Sequence, residues 1–258
     1  MELRRALELR RALERRLTTA NRRRHDGRIR LTGRHWTALT GFAVTAVLVA
    51  GGLGLPSGPS VRVDPSRVAA ARQHLAALAV VAERPPHEQA YQRSAFGPAW
   101  SDDAGVADSG NACDTRNDIL RRDLTVTDSV AIATCATAVA AGRLRSPYTG
   151  REIVFTRGRE SAAVQIDHVV PLAYAWDMGA RDWPAPQRLA FANDPANLLA
   201  VDGPSNQAKS DLEPGRWMPE LEGFRCQYAI AFVTVAAGYR LPVDSRSHRV
   251  LAAALGRC

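Results

Sequence analysis

VQIDHVVPLAYAWDMGARDWPAPQRLAFANDPANLLAVDGPSNQAKSD, residues 164–211, is the stretch whose reading decides the fold. A β-rich run, 163–170, carries Asp167 and His168 side by side, and a second β-like run, 197–201, begins at Asn197. Gly203-Pro204 then turns the chain into a short polar helix, with Asn206 in its first turn and Lys209 three residues later on the same face. Strand, loop, strand and helix thus bring an acid, an imidazole, two amides and an ammonium to the element junctions. Neighbours on a regular strand face opposite ways. A frayed strand end ahead of Val169-Val170-Pro171 lets Asp167 and His168 reach one site.

These residue types suit phosphodiester hydrolysis. A histidine near its neutral form takes the proton of an attacking water. The Asp167 carboxylate and the Asn206 carbonyl are hard oxygen donors. Two protein oxygens, completed by water and phosphate, are the usual holding of Mg²⁺, which polarises the phosphate and stabilises the departing oxygen. Asn197 is placed to bond His168 or its loop, and Lys209 to meet the phosphate beside the metal.

Working outward, 62–258 reads as one α+β domain with flanking helices. A helix is expected over 64–81, capped by Asp64-Pro65. The segment 91–100 reads as an aromatic loop and 113–124 as a short helix or turn. Strands are expected over 136–144 and 151–156, helical segments over 172–177 and 186–192, a loop over 214–224, and helices over 226–237 and 244–256. Four cysteines, Cys113, Cys135, Cys226 and Cys258, allow three pairings. The two local loops, Cys113–Cys135 and Cys226–Cys258, are favoured; zinc competes, but no Cys-x-x-Cys or Cys–His spacing supports it.

The N-terminal part is of another kind. Residues 1–36 hold twelve Arg against four acids, the whole of the +8 net charge, so the rest of the chain is neutral. The high pI is therefore no nucleic-acid footprint for the folded part. Residues 1–35 read as a basic cytoplasmic leader. Residues 36–55, WTALTGFAVTAVLVAGGLGL, carry no charge and are long enough for a transmembrane or signal-anchor helix. The linker 56–61 follows. The positive-inside rule places everything after it outside the cytoplasm, membrane-bound, or secreted if the segment is cleaved. Cysteines confined to that side agree with an oxidising compartment. Lys209 is the only lysine in the chain, against thirty-three Arg. That hints at a position where a compact ammonium is needed; a coding preference for arginine that leaves one lysine by chance is the competing reading.

The stretch resembles the HNH, or ββα-metal, nuclease superfamily: Asp167-His168 as the acid–histidine pair, Asn197 as the middle asparagine, Asn206 and Lys209 as the closing Asn-x-x-Lys. Around it, Cys113-Asp114-Thr115-Arg116-Asn117, Pro147-Tyr148-Thr149-Gly150, Gln165-Ile166-Asp167-His168-Val169-Val170-Pro171-Leu172, Phe191-Ala192-Asn193-Asp194-Pro195 and Asn197-Leu198-Leu199-Ala200-Val201 look like exported HNH endonuclease family proteins, related to the C-terminal nuclease domain of GmrSD-type restriction enzymes. The resemblance covers roughly 90–258. It implies DNA cleavage dependent on Mg²⁺ or another divalent cation such as Mn²⁺. His168 would be the base, and Asp167 and Asn206 the metal ligands. No Cys pairs bracket the motif, so the structural zinc of some relatives is not expected.

Blander readings stand beside this one. His168 as a core histidine, Asp167 as a strand-end cap and Asn206 as an ordinary helix-start residue are each plausible alone. Arg116 reads either as a phosphate clamp or as an ion-pair partner of Asp114 or Asp118. The alternatives to a DNA nuclease are a catalytically silent envelope binding module on the same fold, or an RNA-cleaving enzyme.

Overall fold

The computed structural model describes residues 63–86 and 91–258, which fall within a unit spanning Val61–Cys258. The leader, the apolar run 36–55 and the linker lie outside the described residues. Among the described residues no helix is long and apolar enough to cross a membrane.

Helix α1, Pro65–Ala77, begins where Asp64 accepts the Ser66 amide and proline occupies the first turn. It stops short of the expected 81, because β1, Val80–Val81, leaves it to pair in parallel with β7, Val243–Asp244. Helix α2, Thr115–Asp123, is capped by Asp114. Next come β2, Thr125–Ile132, β3, Cys135–Arg145, and β4, Glu152–Thr156, one antiparallel sheet in the order β2-β3-β4. The central pair is β5, Val164–His168, antiparallel to β6, Leu198–Asp202, with Asp167 opposite Leu199 and His168 opposite Leu198. Between them lie α3, Leu172–Asp177, and α4, Ala185–Asn193. After β6 comes α5, Gly203–Lys209; then α6, Arg225–Gly238, and α7, Ser245–Gly256, follow a long loop. The fold is α+β, and the β5–β6 pair, with α3 and α4 inserted between its strands, leads directly into α5.

Three local expectations need correction. Asn197 does not begin the strand: it closes a 3₁₀ turn, Pro195–Asn197, and pairing starts at Leu198. The β5 ladder is not frayed at its end, since pairing runs through His168. Strand β2 was not expected at all, because most of its residues are exposed on both faces and no apolar alternation marks it.

Two cores sit on either side of β5–β6. One gathers Val68, Tyr148, Tyr174, Phe191, Tyr228 and Phe232 under α1, α6 and α7. The other gathers Ile119, Leu120, Val139, Phe155, Ile166 and Leu198 between α2 and the sheets. Arg84 ties the chain after α1 to the exit of α5. Its Nε donates to Asp177 (2.6 Å), its Nη2 to the Asp211 carboxylate (2.8 Å) and its Nη1 to the Asp211 carbonyl (2.9 Å). Gly203 permits a close approach at the start of α5, where a Cβ would lie 2.8 Å from the Ala162 carbonyl oxygen.

Both disulfides are the local ones, Cys113–Cys135 and Cys226–Cys258. The second joins the start of α6 to the residue two past the end of α7. Closing a loop of 32 residues' separation removes denatured-state entropy worth about 3–4 kcal/mol. The double variant Cys226→Ser/Cys258→Ser is therefore expected to lose about that much stability in urea unfolding. A variant that unfolds at the wild-type midpoint would show that this bridge adds nothing.

Candidate active site

A cleft of about 790 Å³ is lined by Asp167, His168, Asn206 and Arg116, together with Arg93 and Trp100. Strand β5 supplies the first two, α5 the third and α2 the fourth. The segment before α2 supplies the last two.

His168 is 7% exposed. Its Nε2 lies 2.8 Å from the Ala192 carbonyl oxygen. A carbonyl only accepts, so the ring proton belongs on Nε2 and Nδ1 keeps its lone pair. Trp100 covers the ring in parallel, 14° between planes and 6.1 Å between centroids. Burial, with the nearby charges of Arg93 and Lys209, pushes the imidazole down to about 3, although the Ala192 bond works the other way. The ring is therefore neutral in ordinary buffers. The loop after it is clipped by Asn197, whose Oδ1 accepts the Val170 amide (2.8 Å) and whose backbone carbonyl accepts that of Val169 (2.8 Å). Asn197 thus fixes the loop rather than the ring.

Asp167 is 4% exposed and holds two partners. The Tyr148 hydroxyl donates to Oδ2 (2.5 Å), and the Lys209 ammonium to Oδ1 (2.9 Å). The ammonium also donates to the His168 carbonyl (2.8 Å), locking α5 onto β5. Burial raises the Asp167 carboxyl and lowers the Lys209 ammonium; their mutual attraction opposes both shifts. The phosphate contact expected of Lys209 is not its place here. The side chain is fully enclosed, 0% exposed, and engaged by Asp167.

Asn206 is oriented by Gln165, whose Oε1 accepts its Nδ2 (2.9 Å). That bond leaves Oδ1 as the amide's remaining group, an acceptor. Asp167 and Asn206 both line the cleft and carry hard oxygens of the kind a divalent cation takes. The Asn206 oxygen is uncommitted in this respect, whereas the Asp167 carboxylate accepts from Tyr148 and Lys209 and is also approached by the His168 backbone amide. Among the described residues no three of His, Cys, Asp or Glu converge to hold a metal.

Arg116 does not pair with Asp114 or Asp118. Its Nη2 lies 3.4 Å from the carbonyls of Ser161 and Val164, and burial lowers its pKa. Asp114 is instead taken by the cap of α2, by the Asn117 amide and by the Thr134 hydroxyl. Arg116 thus presents a half-buried guanidinium to the cleft, with no ion-pair partner among the described residues.

Tyr148 and Gln165 were not singled out by the sequence reading as holders of Asp167 and Asn206. The signal for Gln165 was its period-2 spacing from Asp167; for Tyr148 it was a Pro-Tyr-Thr-Gly turn that lies far from the motif in sequence. Trp100 was legible only as one aromatic of the 91–100 loop, read as an anchor on the core, and Arg93 was not singled out.

A family model described as GmrSD restriction endonucleases, C-terminal domain, matches residues 114–254. An uncharacterized secreted protein of Arthroderma benhamiae is 35% identical over 206 residues, 79% of this chain and 90% of that protein. No solved structure matches.

Proposed function

The chain belongs to the family of GmrSD restriction endonuclease C-terminal domains, and on that premise we propose that it is an exported, metal-dependent endonuclease of the HNH, ββα-metal type, cleaving DNA. The observation that carries the reading is the His168–Ala192 hydrogen bond. It fixes a neutral tautomer with Nδ1 as the ring's base, in a cleft that also holds Asp167, Asn206 and Arg116.

In this reading His168 Nδ1 takes the proton of a water as that water's oxygen bonds to phosphorus and the bond to the leaving sugar oxygen breaks. The negative phosphate raises the proton affinity of the ring from its low resting value. Arg116 neutralises a non-bridging oxygen. Asp167 and Asn206 would hold the cation, which would supply Lewis-acid stabilisation of the phosphate and leaving oxygen. Tyr148 and Lys209 fix the Asp167 carboxylate, Gln165 orients the Asn206 amide, and Asn197 fixes the loop that carries the base. Preorganisation of this kind accounts for most of what a protein adds to phosphoryl chemistry. The secreted relative and the two disulfides support action outside the cytoplasm, with the apolar run 36–55 as the export or anchor segment.

The test is plasmid nicking by the purified protein. Cleavage is expected with Mg²⁺ or Mn²⁺, to be lost after EDTA and restored when metal is added back. Cleavage that persists in excess EDTA would remove the metal from the reading. Absence of cleavage of DNA under every metal condition would leave a silent binding module, or an RNA-specific enzyme if RNA alone is cut.

A further inference from the structure

We propose that a second, smaller cavity beside His168 is a subsite for one unstacked nucleobase of the strand being cut, with Trp100 as its stacking wall. This rests on the nuclease reading above. The cavity, of about 210 Å³, is walled by Phe96, Pro98, Trp100, Leu172 and Ala192, with Arg93 lining it as well. Arg93, Trp100, His168 and Leu172 also line the main cleft, so the two spaces meet at the imidazole.

Size separates their occupants. The main cleft falls within the roughly 300–1,000 Å³ of small-molecule sites, and the second lies below it, room for one ring system and not for a base pair. Its chemistry is that of a stacking slot. The Asn193 amide is already engaged by the Leu189 carbonyl and the Thr115 hydroxyl, and His168 Nε2 by Ala192. What remains is aromatic and aliphatic surface with one exposed guanidinium, Arg93, which has no ion-pair partner among the described residues. Aromatic walls beside a cation take bases of any identity. A phosphate seated against His168 in the main cleft puts the adjoining nucleoside within reach of this slot.

Trp100 is held for the task at a backbone cost. It sits at φ +60°, an uncommon conformation for so bulky a residue. Its carbonyl accepts the Thr115 amide, and its ring packs against the second core. Both Trp100 and Arg93 precede the segment 114–254 matched by the family model. A paired base cannot enter the slot, so single strands and frayed ends are the preferred substrates.

Binding in EDTA separates this subsite from catalysis. Fluorescence polarisation would compare a short labelled oligothymidylate with an abasic deoxyribose-phosphate chain of equal length, using the full chain. The wild type is expected to bind the base-bearing strand about tenfold or more tightly. Trp100→Ala should bind both strands alike, and Trp100→Phe should keep most of the preference while melting as the wild type does. With Mg²⁺ and single-stranded substrate, Trp100→Ala should raise KM about tenfold and change kcat less. Equal binding of the two strands by the wild type overturns the subsite, whether or not DNA is cut. A wild type that prefers bases yet cuts nothing with any metal overturns the nuclease reading instead.

Discussion

His168→Ala is expected to lower the rate of DNA nicking by about 10²–10⁴-fold, the usual contribution of a positioned general base. Because the ring makes one hydrogen bond and one aromatic contact, His168→Gln is the closer control for packing. Both variants should still bind DNA in EDTA, since the cleft's guanidinium groups, Arg93 and Arg116, are untouched. Nicking by His168→Ala at the wild-type rate would end the assignment of the base. The same residue gives a second readout that a merely packed histidine would share. Its folded pKa, about 3, lies below its unfolded value of about 6.5. Between those values the unfolded chain binds a proton that the folded one refuses. Stability therefore falls as pH falls through that window, by up to about 1.4 kcal/mol per unit, and is flat above it. Urea midpoints at pH 7, 6 and 5 should show this slope in the wild type and a shallower one in His168→Gln. The kinetic loss tests the chemistry, and the slope tests only the burial; the two together separate a catalytic histidine from a core one.

Why some of this was legible before the structure, and some not, follows from how far apart the partners lie in sequence. The strand pair and α5 were readable because their cues are local: alternation, a Gly-Pro turn and a spacing of three. Asp167, His168, Asn197 and Asn206 were found by the same cues, and all but Asn197 line the cleft. Lys209 was located but given the wrong surroundings. On a polar seven-residue helix a lysine reads as exposed. It is enclosed only because β5 and the Tyr148 turn close over it, a tertiary fact. Its singularity in an arginine-rich chain was the better clue, since a tight ammonium site is where a guanidinium fails. The place of Arg93 and Trp100 beside the cleft was hidden for a related reason, although the aromatic loop that carries Trp100 was legible. A 3₁₀ turn and a positive-φ tryptophan leave no periodicity, and only packing against His168 reveals their place.

Lys209→Met is expected to cost about 3–5 kcal/mol of stability at neutral pH, the price of breaking a buried ion pair from one side. The wild-type ammonium is 2.9 Å from Asp167, with exposures of 0% and 4% for the two side chains. Without it the carboxylate keeps the Tyr148 hydroxyl and the His168 backbone amide but no charged partner. Burial already raises the Asp167 carboxyl against the pull of Lys209, so removing that pull raises it further. A carboxyl whose folded pKa lies above its unfolded value of about 3.9 gains stability as pH falls through the folded value. The deficit of Lys209→Met should therefore shrink as pH falls through the raised Asp167 value, whereas a simple packing defect would not respond to pH. Adding Asp167→Asn should recover much of the loss, because the orphaned charge is gone, so the two substitutions are expected to be strongly non-additive. The double variant should fold and remain inactive, having lost the carboxylate proposed to hold the cation. Lys209→Arg is no rescue, since a wider planar head must enter a fully enclosed site. If Lys209→Met instead unfolds like the wild type and only weakens DNA binding, the lysine faces substrate after all. Asp167 would then need another explanation for its charge in a buried position.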